Sequence, residues 1–434
     1  MKKILALDQG TSSTRAVLYN HQGEVLAMSS SVNQIVYKSN GYVEQDPMQL
    51  LDAMERAARG ALLKAGVSVK DILCMGISVQ TGAFVLWEKD GGKPVCPVIG
   101  WQDGRGKEVP DRLESIFADN KTIYSEACIG KILFGTMETW LIWNLTGGII
   151  HASDITNAEI TTMYNRKAAD WDRGVLDRYH IPYEILPEVL SNDGDFGIVS
   201  NGILEGIPIT AVTGDSSAAL FGERCWEKGD VKITYGTGVS VVLNMGEETQ
   251  DSRCAAAWEM QNRQILIKEA TVYYAGVLLQ KLVQDGIVKS VEETAELAVQ
   301  ATAGGGNRAE KVREVLESIG YQVAEKIISL EREYHIPVKH IRADGGVSRN
   351  EFLMQFQADI LQRSLTVNEN AEMSSYGVAC MAAIAAGVWG KETMKKHSTI
   401  LRTYSPVMSV RERDSCLAEW EEKKKNIVFL YSVW

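Results

Sequence analysis

The sequence predicts an α/β protein built as two successive halves with a similar organisation. Each half opens with an apolar strand, a turn rich in glycine and threonine, and a second apolar strand; the two turns fall at Asp8–Ser13 and Tyr235–Gly238. Helical spacing of apolar residues follows in both halves. The chain has 434 residues, enough for two to three domains at roughly 150 residues each. We place the division at residue 224, which gives domains 1–224 and 225–434.

The first half predicts three strands and then a helix. Short apolar runs separated by polar turns predict strands at Ile4–Leu7, Thr14–Tyr19 and Glu24–Ser31. Asp46 followed by Pro47 is typical of a helix start, because aspartate caps free amides and proline suits the first helical position. The other predicted elements of this half are strands at 72–79, 84–87 and 208–212 and helical segments at 136–143 and 216–227.

The second half predicts another pair of strands followed mainly by helices. The strands Val231–Thr234 and Val239–Asn244 flank the second turn. Ser348–Glu351 has the S-x-x-E form of a capping box, which predicts the start of a helix over Glu351–Gln362. The other predicted elements are helices at 271–284, 291–303, 308–334 and 375–386 and a short strand at 340–343.

Composition and charge exclude several classes of protein. The formal net charge is −11, and an acidic surface repels phosphate backbones and anionic lipids, so we expect no nucleic-acid or membrane partner. No stretch reaches the roughly 20 apolar residues of a membrane span, and Asp8 interrupts the first apolar run too early for a signal peptide. The seven cysteines form no CxxC pair, which favours a reducing cytoplasm over a disulfide framework or a zinc site.

The turn at Asp8–Ser13 is the first candidate for chemistry. Its backbone amides, with the hydroxyls of Thr11, Ser12 and Ser13, could cradle a phosphate, and the Asp8 carboxylate could hold Mg²⁺ directly or through water. Aspartate, glycine, threonine and serine are also ordinary turn residues, so a plain hairpin explains this motif equally well when it is taken alone.

Two further glycine-rich turns make the phosphate interpretation more specific. Gly236–Gly238 lies in the second hairpin, and Asp344–Gly346 precedes a predicted helix, where residues without Cβ would let a flat nucleotide approach the backbone. Asp215 lies where a predicted buried strand meets a helix start, so its carboxylate could accept a proton from a substrate hydroxyl. Helix capping is the commoner explanation of an isolated aspartate in this position, and the two roles are compatible.

Competing nucleotide motifs are not found in the sequence. The four Gly-Lys pairs lack the following serine or threonine of a P-loop. The run 304–309 loosely matches a dinucleotide fingerprint, but it follows a helical pattern instead of a strand, so we reject that interpretation. The six histidines show no metal-ligand spacing, and we expect structural roles for all of them.

Several motifs together resemble the FGGY carbohydrate kinases, and among these the glycerol kinases. In chain order they are DQGTSSTRA at 8–16, VEQDP at 43–47, WQDGR at 101–105, GDSSAALFG at 214–222, TYGTG at 234–238, and DGG at 344–346 with the helix 350–361. The resemblance implies two actin-like domains of the ribonuclease-H type around a central nucleotide cleft. ATP and Mg²⁺ would be the cofactors, and the reaction would be ATP-dependent phosphorylation of a hydroxyl on a small polyol or sugar.

The resemblance also implies roles for individual residues. Asp8 is similar to the metal-linked acid, Asp215 to the general base, and Arg15 would lie near the transferring group. Domain 1–224 would carry the acceptor site and the first phosphate turn, and domain 225–434 the nucleotide site. The phosphate contacts implied are Gly10, Thr11, Ser12, Ser13, Gly236 and Thr237, and those to the base and ribose are Gly305, Gly346 and Asn350.

The acceptor site departs from the glycerol kinases. Where they carry Asn-Gln-Arg-Glu-Thr, this chain has Val79–Ala83, so Thr81 and Gly82 replace the arginine and glutamate that grip glycerol. A phenylalanine-containing pocket loop is missing before Gly304–Asn307, which predicts ATP hydrolysis without an acceptor. We align Ile132 with a glycerol-contacting tyrosine. The acceptor contacts implied are therefore Gln80, Thr81, Gly82, Trp101, Ile132, Asp215 and Ser216.

Two alternatives remain open from the sequence. A kinase for a ketose or a longer polyol is one, because Gln80–Gly82 partly resembles the Gln-Met-His-Gly of xylulose kinases. A catalytically degenerate, sugar-sensing protein of the same fold is the other, supported by the altered acceptor site and the missing loop. Asp8, Arg15 and Asp215 speak against it, since a sensor has little need to retain all three. We expect a cytoplasmic enzyme and leave a homodimer open.

Overall fold

In a computed structural model the chain divides into two structural units. The structure describes residues 2–247, 251, 253–273, 275–301, 307–368, 372–390, 393–394 and 400–431. The first unit contains Met1–Arg224, Ala255–Ile265 and Glu372–Ser398, and the second contains Cys225–Cys254, Leu266–Ala371 and Thr399–Trp434. From the sequence we inferred two contiguous domains. In the structure, two later segments, Ala255–Ile265 and Glu372–Ser398, belong to the first unit.

The first unit contains a run of strands and helices followed by two later elements. In chain order the run is β1 (Lys3–Gln9), β2 (Ser13–Tyr19), β3 (Val25–Val32), β4 (Val36–Tyr37), β5 (Val43–Gln45), α1 (Pro47–Ala65), β6 (Ile72–Val79), β7 (Phe84–Glu88), β8 (Val98–Ile99), α2 (Val109–Asp119), α3 (Lys121–Cys128), β9 (Ile132–Thr136), α4 (Met137–Leu145), β10 (Ala152–Asp154), α5 (Ile155–Ile160), β11 (Tyr164–Asn165), β12 (Asp170–Trp171), α6 (Arg173–Arg178), β13 (Glu188–Leu190), β14 (Ile209–Gly214) and α7 (Asp215–Gly222). The later elements are β17 (Ala255–Met260) and α12 (Met373–Ala385).

The second unit mixes strands with longer helices. Its elements are β15 (Val231–Tyr235), β16 (Val239–Gly246), β18 (Arg263–Val272, which enters this unit at Leu266), α8 (Ala275–Gln284), α9 (Glu293–Gln300), α10 (Arg308–Tyr334), β19 (Ile341–Asp344), α11 (Glu351–Leu361), β20 (Leu365–Asn368), β21 (Ile400–Tyr404) and α13 (Val410–Tyr431). None of the helices that the structure describes combines the length and the apolar character needed to cross a membrane.

The two units repeat one arrangement of strands. In the first, β1 pairs antiparallel with β2, β2 pairs antiparallel with β3, and the parallel strands β6 and β14 follow on the other side of β1. In the second, β15, β16 and β18 form the antiparallel part, and β19 and β20 follow as the parallel part beside β15. This repetition confirms the prediction of two halves with a similar organisation.

Helix α12 lies unusually close to its neighbours in the first unit. A Cβ placed on Gly377 would lie 1.7 Å from the carbonyl oxygen of Ala218 in α7. A Cβ on Gly76 of β6 would lie 2.5 Å from the carbonyl oxygen of Val378 in α12. Glycine is therefore required at both contacts, and the alanine-rich sequence of α12 permits this close packing.

Local signals located most helix starts correctly. Asp46 caps α1, and its side chain accepts hydrogen bonds from the amides of Met48 and Gln49. The predicted capping box at Ser348 is wrong, because Asn350 caps α11 and accepts from the Leu353 amide.

Two predicted helix boundaries differ from the structure by four residues or more. The helix predicted from Thr271 begins at Ala275 instead, because Thr271 and Val272 end strand β18, as their β-branched side chains favour. Helix α7 ends at Gly222, where the sequence had predicted it to continue to Glu227.

Candidate active site

The carboxyl edge of the sheet in the first unit gathers several of the predicted site residues. Asp8 lies near the end of β1, Gln80 and Thr81 follow β6, and Asp215 follows β14 directly. These three strands are parallel neighbours, so their carboxyl ends meet at one edge. Ligands of parallel α/β sheets bind outside the carboxyl ends of the strands, which makes this edge the candidate site.

Asp8 and Arg15 face each other on neighbouring strands. They are cross-strand partners, and Arg15 Nη1 lies 3.8 Å from Asp8 Oδ2. Arg15 Nε lies 3.2 Å from Glu372 Oε2, so two carboxylates hold the guanidinium. Ser78 Oγ donates a 2.7 Å hydrogen bond to Asp8 Oδ1. Burial raises the pKa of the Asp8 carboxyl, and the Ser78 hydrogen bond and the Arg15 charge oppose that rise.

The turn at Gly10–Ser12 is fixed through its carbonyl groups. The carbonyl of Gly10 accepts from Asn33 Nδ2 at 2.8 Å, and that of Thr11 accepts from Gln45 Nε2 at 3.0 Å. The carbonyl of Ser12 accepts from the Asn33 amide at 2.9 Å. Phosphate-binding turns need their carbonyl oxygens engaged away from the anion, and these contacts meet that requirement.

Trp101, Thr81 and Gly82 form one side of the candidate site. Trp101 Nε1 donates to Thr11 Oγ1 at 3.1 Å, while the tryptophan side chain stays half exposed. A Cβ on Gly82 would lie 3.5 Å from Trp101 Cβ, and a Cβ on Gly214 would lie 2.5 Å from Thr81 Cγ2. Gly82 has a φ of 76°, so a residue with a side chain would be strained here. The structure therefore brings Thr11, Trp101, Thr81 and Gly82 together.

Ile132 lies away from the candidate site, whereas Ser216 lies beside Asp215. Ile132 is fully buried in β9 opposite Glu88, within a hydrophobic cluster that includes Phe134. Gly82 precedes β7, and Glu88 is the last residue of that strand, about 13 Å from Phe84 at roughly 3.3 Å per residue. The structure therefore does not bring Ile132 to the candidate site. Ser216 is exposed, and its backbone amide donates to Asp215 Oδ1 at 2.7 Å.

The second unit carries the other predicted phosphate turn. The amide of Gly236 donates to the carbonyl of Gly238 at 2.9 Å, and the carbonyl of Thr237 accepts from the Gly276 amide at 2.8 Å. A Cβ on Gly276 would lie 2.3 Å from the Gly236 carbonyl oxygen. The turn is therefore fixed to the first residues of α8, because the amides of Gly276 and Val277 both donate to the carbonyl of Thr237.

The glycines after β19 lie beside that turn. Gly345 has a φ of 86°, and a Cβ there would lie 2.4 Å from the carbonyl oxygen of Tyr235. No described atom lies within 4 Å of a Cβ built on Gly346, so this residue borders open space. Asn350 is engaged as the cap of α11 and donates from Nδ2 to Thr294 Oγ1 at 2.9 Å. Gly305 lies outside the described residues.

Sequence reasoning missed a buried polar network next to Asp215. Glu138 and Asp154 are both fully buried. Ser153 Oγ donates to Glu138 Oε1 at 2.6 Å, and Asp154 Oδ2 accepts from Asn157 Nδ2 at 2.6 Å. The available signal was the polar run of Asp154, Thr156 and Asn157 within a stretch that is otherwise buried.

The pKa of the Glu138 carboxyl lies close to neutral pH. Burial, followed by the nearby charge of Asp154, raises the pKa of Glu138 from 4.5 to about 7. Glu138 Oε2 has no hydrogen-bond partner in the described part of the chain, whereas both oxygens of Asp154 have N–H donors. Burial raises the pKa of Asp154 as well, and hydrogen bonds from Thr156 and Asn157 oppose that rise.

Glu138→Gln is expected to flatten the dependence of stability on pH. The stability contributed by Glu138 is fully present below pH 4.5 and is lost as the pH rises through about 7, because the folded protein binds a proton that the unfolded chain releases. The parent should lose about 2 kcal/mol more than the glutamine variant between pH 5 and 7.5. Urea unfolding across this range measures the difference, with exposed Glu188→Gln as control; parallel profiles for parent and Glu138→Gln would contradict the assignment.

The comparison with family models decides the identity of the chain. Residues 3–131 and 118–222 match the N-terminal domain of the FGGY family of carbohydrate kinases, and residues 300–386 match the C-terminal domain. This chain belongs to the FGGY family of carbohydrate kinases. It is a phosphotransferase that acts on an alcohol group, and as a kinase of this family it uses ATP.

Relatives of this FGGY kinase include glycerol kinases from several bacteria. It is 32% identical to glycerol kinase from Fusobacterium nucleatum, with 97% of this chain and 98% of the relative covered. Glycerol kinase 2 from Thermotoga maritima is also 32% identical over 97% of this chain and 98% of its own length. The alignment with the Fusobacterium relative spans 485 positions, more than the 434 residues of this chain, so that relative has segments with no counterpart here.

Solved structures confirm the predicted fold of two actin-like domains. The Plasmodium falciparum glycerol kinase with ADP has a TM-score of 0.91 at 23% identity and covers 98% of both chains. The ligand-bound xylulose kinase from Lactobacillus acidophilus has a TM-score of 0.82 at 17% identity and covers 99% of both chains. The architecture of this FGGY kinase is therefore that of the family.

Proposed function

We propose that this FGGY kinase transfers the γ-phosphoryl group of ATP to a hydroxyl of a small polyol or sugar, with Asp215 as the general base. The observation that carries the proposal is the position of Asp215, directly after β14 at the sheet edge that also presents Asp8. Gly214 is the N-cap residue of α7, and Asp215 at the first helical position accepts from the free Ser216 amide, a contact compatible with a role as base.

The assigned residues supply what phosphoryl transfer requires. This reaction needs positioning and neutralisation of charge more than covalent help from the protein. We assign phosphate contacts to the Gly10–Ser13 turn of the first unit and to Gly236 and Thr237 of the second. Arg15 would place its positive charge near the transferring group, and Asp215 would accept the hydroxyl proton as the new bond forms.

The residues around Asp8 fit a magnesium ion. Proteins hold Mg²⁺ through one or two carboxylates, with phosphates and water as the remaining ligands. The described residues contain no group of three His, Cys, Asp or Glu side chains able to hold a metal, which agrees with an ion that takes most ligands from the nucleotide. Asp8 would hold it directly or through water, and a bound ion would neutralise phosphate charge.

Asp8→Ala is expected to weaken ATP binding in the presence of Mg²⁺ roughly 10–100-fold, in line with the loss of a metal-supporting residue, and much less in EDTA. Calorimetry of ATP binding under the two conditions measures both losses. Asp90→Ala, at an exposed aspartate in the turn after β7, is the control and should bind as the parent does. Equal losses with Mg²⁺ and with EDTA would show that Asp8 is only a structural turn residue.

Glycerol is expected to be a poorer substrate than at least one longer polyol or ketose. Thr81 and Gly82 replace two charged groups, and each lost hydrogen bond to a charged group is worth roughly 1.5–3 kcal/mol. Together they should lower kcat/KM for glycerol roughly 10²-fold or more, while the smaller side chains leave room for a longer chain. Ranking kcat/KM over glycerol, erythritol, ribitol, xylulose and ribulose tests this.

Two results of that ranking would change the proposal. Glycerol in first place would contradict the inference from Thr81 and Gly82. ATP binding without acceptor-dependent turnover on any compound would favour the sugar-sensing alternative. The glycerol kinases among the relatives support a polyol acceptor, and the exposed Trp101 side chain offers an apolar face against which a carbon chain could pack.

A further inference from the structure

We propose that Thr156 is a positioning residue for phosphoryl transfer, whose hydroxyl fixes the backbone from which Asp215 emerges. The inference rests on the proposed role of Asp215 as general base. It concerns a residue at the start of helix α5 that neither the sequence motifs nor the assigned site residues include.

The Thr156 hydroxyl is hydrogen-bonded directly to the backbone at the end of β14, a contact that we call the tether. Thr156 Oγ1 accepts a 2.9 Å hydrogen bond from the amide of Gly214, the last residue of β14. The same hydroxyl donates to Asp154 Oδ1. Because β14 lies at the edge of its sheet, some of its backbone groups have no strand partner, and Thr156 satisfies the one immediately before Asp215.

Asp154 in turn fixes the threonine. Its Oδ1 accepts from the Thr156 amide at 2.9 Å and from Asn192 Nδ2 at 3.0 Å. Asn192 Nδ2 also donates to the carbonyl of Val212 in β14 at 2.7 Å. One buried carboxyl group therefore orients two side chains, Thr156 and Asn192, that hold the same strand.

The tether acts on the residues assigned to the reaction. A Cβ on Gly214 would lie 2.5 Å from Thr81 Cγ2, so a shift of Gly214 would disturb the acceptor side of the site as well as Asp215. After the junction, Ser374 Oγ donates to the carbonyl of Asp215 at 3.1 Å. Thr156 therefore holds the amide of Gly214, just before the proposed base, and Ser374 holds the carbonyl of Asp215 itself.

The test compares Thr156→Val with Thr156→Ser. Valine keeps the shape but removes the hydroxyl, and a displaced catalytic group can cost roughly 10–100-fold, so kcat should fall by that factor while the KM for ATP stays within about twofold. Serine restores the hydroxyl and should restore most of kcat. Thr161→Val is the matched control, since this buried threonine donates to the carbonyl of Ala158 at 2.6 Å within its own turn and should keep the parental kcat.

A double mutant separates positioning from a general loss of stability. If Thr156 acts through Asp215, adding Thr156→Val to Asp215→Asn should lower the residual rate by no more than about twofold. The same fold-loss in both backgrounds, or a parental kcat for folded Thr156→Val, would overturn the proposal. Should the valine variant fail to fold, Thr156→Ala removes the hydroxyl without the added methyl group and is judged by the same criteria.

The outcome for Asp215→Asn alone distinguishes a failure of the proposed function from a failure of the positioning role of Thr156. Parental activity in that variant would refute the general base and, with it, the reason for the tether. If Asp215→Asn loses most of its activity while Thr156→Val keeps the parental kcat, the proposed function stands and only the positioning role is refuted.

Discussion

Replacing Asp215 by asparagine is expected to lower kcat roughly 10²–10⁴-fold, the usual cost of losing a general base, while ATP affinity stays nearly unchanged. Asparagine has the shape of aspartate but cannot take up the proton of the acceptor hydroxyl. The position of Asp215 at the first residue of α7 favours the ionised carboxylate, because the helix dipole is positive there. A coupled assay at saturating substrate measures kcat, and calorimetry measures ATP binding.

Asp172→Asn is the matched control for that experiment. Asp172 caps α6 in the same unit, where its side chain accepts from the Gly174 amide at 2.9 Å, and asparagine caps a helix about as well as aspartate does. The control should keep the parental kcat. If Asp215→Asn retains at least half of the parental activity on the best acceptor, the base assignment is wrong.

Gly377→Ala is expected to have the largest effect on stability, a loss of about 3 kcal/mol or more in the free energy of unfolding, the upper range for overpacking. The new methyl group would overlap the carbonyl oxygen of Ala218, which lies 1.7 Å from the position of its Cβ. Both neighbours are helix backbone, so no side-chain rotation can relieve the overlap and α12 must move away from α7. Urea unfolding of the purified variants measures the loss.

Gly390→Ala serves as the control for the helix contact. Among the described residues, no atom lies within 4 Å of a Cβ built on Gly390, so this substitution should leave the free energy of unfolding within about 0.5 kcal/mol of the parent, as is usual for surface changes. A similarly small change for Gly377→Ala would mean that the two helices do not approach as closely as described.

Local signals in the sequence predicted those parts of the fold that depend on near neighbours. The cap at Asp46 gave the start of α1, and the apolar spacing of residues 308–334 gave both ends of α10. The two strand–turn–strand pairs were predicted correctly because hairpin turns have strong local preferences. The same turns placed Asp8, Arg15 and Gly236 at the candidate sites.

Contacts between distant residues could not be predicted in this way. The position of α12 against α7 depends on Gly377 meeting Ala218, and no periodicity within either helix records that partner. Thr156 reaches Gly214 across 58 positions of the chain, so a single sequence showed only an ordinary polar run. Ile132 was assigned from the family resemblance alone, and its burial in β9 reflects the pairing of β9 with β7.

Helix α12 also determines when the first unit can finish folding during synthesis. The strands of its central sheet are complete once Gly214 has been made, but α12 packs on β1, β6 and β14 and ends only at Ala385. At roughly 5–20 residues per second, the ribosome needs on the order of 10–30 s to add the intervening chain. During that interval the face of the sheet around Gly76 lacks the helix that covers it in the finished protein. The packing of the first unit is therefore completed only when α12 has been synthesised, after most of the second unit.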